Sequence, residues 1–92
     1  MKVDTKVEIF GQSYVIRGET DSDYTRKLAE YVDGKMREVA TKASSISSLN
    51  AAILAALNIA NELYELREKH REERDMIDEK ATALLTLLEN QV

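Results

Sequence analysis

From about Ser48 to Asn90 the chain contains neither Gly nor Pro. Those two residues are the strongest interrupters of a helix, so their absence predicts one unbroken helix. Roughly 43 residues would span about 64 Å at 1.5 Å per residue. No ordinary globular helix is that long, and the stretch calls for partners along its length. Its halves differ. Leu49 to Ala60 is apolar almost all round, as a helix buried on several sides must be. Its alanines would let another helix approach closely. Beyond Leu66 the chain turns polar, from Arg67 through Asp75, and then becomes amphipathic again at Ile77, Ala81, Leu84, Leu85, Leu87 and Leu88.

Alternating steps of four and three trace a heptad seam. It starts with Leu49, Ile53, Ala56, Ala60 and Leu63, passes through Arg67, His70 and Arg74, and ends with Ile77, Ala81, Leu84 and Leu88. Both ends of the seam are apolar and its middle is not. Nothing in the short N-terminal part is long enough to cover the outer half, so we expect self-association through these residues. The leucines from Leu84 to Leu88 make a face wider than a two-stranded seam needs, which points to contact with more than one neighbouring helix.

The N-terminal part predicts a β-hairpin. Val3, Thr5, Val7 and Ile9 alternate with Lys2, Asp4, Lys6 and Glu8, which is the period of a strand. Gly11-Gln12 fits a two-residue loop with Gly at its first central position. That loop would set Ile9 opposite Tyr14 and Val7 opposite Ile16, with all four on one side. Two strands alone are marginal in water, so a helix or another chain must cover that side. A helix is expected from about Asp21 to Lys42. Thr20 and Asp23 have capping-box-like spacing, and Tyr24, Leu28, Tyr31, Val32, Met36 and Val39 fall on one face. Gly34 is an oddity within it. Ser44, Ser45, Ser47 and Ser48 are all candidate caps for the long helix.

The expected architecture is therefore α+β: a β-hairpin and a short helix packed on a long C-terminal helix that extends as a coiled coil. Residues 1–66 would form a dimerisation head, and residues 67–92 an arm. The head is a small core to stand alone, and sharing the start of the long helix across a two-fold axis would enlarge it. A dimer through the head and proximal helix is expected, with arms pairing antiparallel into a tetramer.

The chemistry is sparse. The 92 residues contain no Cys, which excludes thiol catalysis, disulfides and a thiolate zinc site. A net charge of -4 argues against nucleic-acid binding. The N-terminus lacks the apolar core of a signal peptide, and no stretch approaches the length that crosses a bilayer. A soluble protein of the cytoplasm is expected, without a membrane partner. His70 with Glu73 is a conceivable metal pair across a dimer, but a solvated or seam-lining His that tunes pairing suits the spacing better. Glu72, Glu73, Asp75 and Asp78 are interleaved with cations on an exposed helix and read as ion-pair decoration. No nucleophile has a base partner. We expect no enzyme and no cofactor.

One surface is less bland. In the expected register Lys6 and Arg17 lie directly opposite each other on the outer side of the hairpin, an unfavourable pairing. Either Glu8 neutralises them, or they form a basic contact patch for an acidic protein. Arg26, Lys27, Lys35, Arg37 and Lys42 would extend it from the first helix.

"VEIFGQSYVIRG" from Val7 to Gly18, "LAEYVDGKMREVA" from Leu28 to Ala40, and "AAILAALNIANELYELR" from Ala51 to Arg67 together resemble the ZapA family of bacterial cell-division proteins. Gly34 departs from the charged residue expected there. The resemblance implies a cytoplasmic, non-enzymatic protein with dimeric heads joined by antiparallel coiled-coil arms. It implies binding to filaments of the tubulin-like protein FtsZ, cross-linking them and stabilising the ring at the mid-cell septum. Lys6, Arg17, Arg26 and Lys27 are the candidate partner-binding residues. The alternative from another class is a coiled-coil adaptor or dimerisation module for some other assembly.

Overall fold

The computed structural model describes residues 2–90. Strand β1 (Val3–Ile9) and strand β2 (Gln12–Gly18) form an antiparallel hairpin, followed by helix α1 (Ser22–Lys42) and helix α2 (Ser48–Asn90). The fold is α+β. The chain divides into two compact units between Ile59 and Ala60, and α2 contributes to both.

The hairpin loop lies one residue earlier than expected. Ile9 pairs with Gln12 and Val7 with Tyr14, so Phe10 and Gly11 form the two-residue turn. Both have positive φ, 51° and 78°, as a type I′ turn requires. Phe is a poor choice for that conformation, and tertiary contacts account for it. The Phe10 side chain packs against the core formed by Met36, Ala51 and Ala55. Its backbone N–H donates to Asp33 Oδ1 at 2.7 Å. Because the pairing shifts by two residues, every side chain keeps its expected side of the ribbon. The opposition of Lys6 and Arg17 does not survive. Lys6 faces Val15, and Arg17 faces Asp4, whose carboxylate accepts from the guanidinium at 2.8 Å.

Asp21, not Thr20, caps α1. Its side chain accepts from the Tyr24 N–H at 2.9 Å, which satisfies one of the open donors of the first turn. Thr25, Ala29, Met36 and Val39 are the buried residues of the helix. Val32, Met36 and Val39 turn inward as expected. Tyr24, Leu28 and Tyr31 remain about half exposed. At the hairpin end small residues take the inner positions: α1 packs on β1, and buried Thr5 donates to Ser22 Oγ at 3.0 Å. The larger side chains flank that contact.

Ser47 settles the cap of α2, its Oγ accepting from the Asn50 N–H at 3.1 Å. Ser45 turns the chain with φ 60°. The first turns of α2 meet α1 through alanines, with Ala51 and Ala55 at 0% and 1% exposure against Met36. They are the only buried residues of the whole helix among those described.

Asp33 is the tie between hairpin and helix. One oxygen holds the Phe10 N–H, and the other accepts from Arg37 Nε at 2.9 Å. The Phe10 bond first, and Arg37 second, hold its carboxyl below the usual carboxylate range. A depressed folded-state pKa stabilises the fold above the ordinary value near 3.8, and that contribution is lost as pH falls through the folded value. Asp33→Ala should cost roughly 1–2 kcal/mol near neutral pH. Urea unfolding should show the gap between wild type and variant narrowing as pH falls below 3.8. A Cβ at Gly34 would meet nothing within 4 Å. Gly34→Ala should therefore raise stability by about 0.5–1 kcal/mol in thermal melts.

Candidate interaction surfaces

The first unit carries an apolar groove of about 430 Å³. Phe10, Tyr14, Ile16, Val32, Met36 and Leu49 line it. Its position follows from the fold: the hairpin's inner side is wider than α1 can cover, and α2 meets α1 through small residues only. Tyr14 and Ile16 stay half exposed, and Leu49 is 69% exposed at its rim. Exposed apolar surface of this kind is characteristic of association surfaces.

The proposed self-association residues are uncovered within the single chain. Ile53, Ala56 and Ala60 are exposed beside buried Ala51 and Ala55. In the second unit Leu63, Ile77, Leu84 and Leu88 are 44–66% exposed, and Ala81 is exposed too. Leu66, Leu85 and Leu87 add to the same surface. A lone helix has nothing to place against these side chains.

The basic residues are less concentrated than the sequence suggested. Lys6 and Arg26 line one shallow concavity of about 270 Å³, but Glu8 and Glu30 line it as well. Arg26 is bound to Asp23 at 3.2 Å. Arg17 sits diagonally from Lys6 on the outer side of the hairpin, and its bond to Asp4 raises the guanidinium pKa further. Lys27 is exposed on α1. The surface is a mosaic of both signs, suited to a salt-sensitive contact.

Reading from sequence missed two features. The Asp33 tie has no local signal, because it joins positions 23 apart. The side chains of Arg67, His70, Arg71 and Arg74 gather on one face of α2. Three of them were visible as the polar middle of the seam, but not the shared face with Arg71. No group of three or more His, Cys, Asp or Glu side chains among the described residues is placed to hold a metal. Nor is any described helix long and apolar enough to cross a membrane.

The sequence model of a family described as Cell division protein ZapA matches residues 5–90. This chain belongs to the ZapA family. Cell division protein ZapA of Bacillus mycoides is 34% identical over 74 residues, covering 80% of this chain and 83% of that protein. Its counterpart in Bacillus pumilus is 35% identical over 79 residues, covering 86% and 93%. Among solved structures, a ZapA mutant dimer from Geobacillus stearothermophilus superimposes with a TM-score of 0.63 at 32% identity, covering 85% of this chain and 91% of that one. An unknown conserved bacterial protein from Pseudomonas aeruginosa PAO1 gives 0.76 at 29% identity, covering 95% and 97%. The ZapA hairpin, two helices and long tail are thus shared across these proteins, and the family's role is in cell division. The dimeric state of the Geobacillus protein supports self-association as a ZapA property.

Proposed function

We propose that this chain is a non-enzymatic cross-linker of FtsZ filaments that stabilises the division ring at mid-cell, working in the cytoplasm at the septum. Membership of the ZapA family supports the division role. The observation that carries the mechanism is the uncovered apolar surface along α2, from Leu49 to Leu88. The groove and proximal helix pair two heads, and antiparallel arms join two such pairs into a tetramer. Heads at both ends of a rod make the assembly bivalent. Each head–filament contact is weak, and tethering raises the effective concentration for the second. Lys6, Arg17, Arg26 and Lys27 are the proposed filament-contacting residues. Lys6 and Arg26 share one concavity, which sets them together, whereas Arg17 lies outside it.

Substituting Leu84→Asp and Leu88→Asp together in the full chain should leave co-pelleting with FtsZ filaments intact and reduce bundling by at least about 10-fold. Bundling at the wild-type level would contradict the rod mechanism, and loss of all pelleting would place the filament contact on the arm. Lys6→Glu with Arg26→Glu should weaken pelleting several-fold, more so at low salt, without changing the melting transition. Failure of the unaltered protein to pellet with filaments would favour an adaptor of another assembly.

A further inference from the structure

The arm carries its charges in a pattern with one consistent pairing. With Arg67 at position a of the heptad, Leu63, His70, Ile77 and Leu84 occupy d, and Arg74, Ala81 and Leu88 occupy a. Glu65, Glu72 and Glu79 then fall at f, and Glu68 and Asp75 at b, on the side away from the seam. The flanking positions hold Arg71 and Asp78 at e, and Glu73 and Lys80 at g. All of these lie on continuous helix in the second unit.

Taking the antiparallel association of arms proposed above as given, we infer its register: Arg74 of one chain packs against the partner's Ile77, His70 against the partner's Ala81, and Arg67 against the partner's Leu84. Arg67, His70 and Arg74 then each meet an aliphatic residue, so the two arginines never face each other. The aliphatic stems of the arginines cover apolar surface while their heads reach water. Arg67 is already bent over the Tyr64 ring, 5.5 Å from its centroid. His70 meets the smallest seam residue, which gives its ring room.

The flanks decide the matter independently. In antiparallel pairs e positions meet e positions, and g positions meet g positions. The inferred register sets Arg71 against the partner's Asp78, and Glu73 against the partner's Lys80. Two-fold symmetry makes each pair twice. Within the chain Glu73, Asp78 and Lys80 have no ion pair among the described residues, and Arg71 uses one guanidinium nitrogen on Glu68. A guanidinium has further donors for a second carboxylate. Outside the ion pairs, Leu66 meets the partner's Leu87, and Tyr64 meets the partner's Leu85.

The alternatives fail on charge. Sliding by one heptad one way sets Arg71 against Arg71 and Glu73 against Glu73. Sliding the other way sets Asp78 against Asp78 and Lys80 against Lys80. A parallel pair in register faces each seam cation with its own copy and Glu73 with the partner's Asp78. Like charges at such contacts discriminate against a pairing more strongly than opposite charges favour one. The inferred overlap places Ala60 of the two chains about 45 Å apart at 1.5 Å per residue, a fixed spacer between the paired heads.

The test is a charge swap in the full chain, read by sedimentation velocity. Arg71→Asp alone, or Asp78→Arg alone, should weaken arm association roughly tenfold or more. Arg71→Asp with Asp78→Arg should restore it to within about threefold of wild type. The absence of Cys provides a second readout. His70→Cys with Ala81→Cys should give a covalent dimer under mild oxidation, and His70→Cys with Arg74→Cys should not. Covalent dimer only from the second pair, or no rescue by the swap, would overturn the register while arm pairing stands. Wild-type arms that do not associate at all would overturn both.

Discussion

An α-helix can bury only one stripe against each neighbour, and α2 has 43 residues but only two buried ones, Ala51 and Ala55, among those described. Fully burying a large aliphatic side chain contributes about 1.5–3 kcal/mol. Leu49, Ile53, Leu57, Ile77, Leu84 and Leu88 leave most of that unrealised in a lone chain. The absence of Gly and Pro prevents the helix from folding back on itself to cover them. Other copies of the chain are the available cover. The groove of the head is a second apolar surface left open in the single chain.

The head is stabilised by small local devices rather than a large core. Asp21 and Ser47 cap the two helices. Asp33 fastens the hairpin turn to α1, and alanines allow α2 to approach Met36. Each device is worth about 1 kcal/mol. It also explains how a non-Gly residue occupies φ 51° at the turn: Phe10 is held by its ring in the core and by its N–H on Asp33.

Much of this architecture was legible in the residues because it depends on period. The bounds of α2, the strand alternation and the side each strand residue faces all follow from it. Where tertiary contacts outweighed local preference, the reading went astray. The turn was expected at Gly11-Gln12 because Gly suits the first central position of such a loop, whereas Phe10 takes positive φ because its ring packs on the core and its N–H is held by Asp33. The cap passed from Thr20 to Asp21 for want of a signal separating neighbouring oxygen-bearing residues. The apparent clash of Lys6 with Arg17 was a product of the misplaced turn, and Arg17 instead meets Asp4. The inner face of α1 rotated toward Thr25 and Ala29 because strand β1 approaches closely there. The span of α2 needed no such correction, since helix period is one-dimensional and a continuous helix preserves it.

The claim beneath all of this is that α2 must share its apolar stripe with other copies. Light scattering of the unmodified chain over the micromolar range tests it most directly. The account predicts a mass of at least twice the 10.4 kDa of one chain, rising with concentration. A folded species that stays at 10.4 kDa across that range would contradict it.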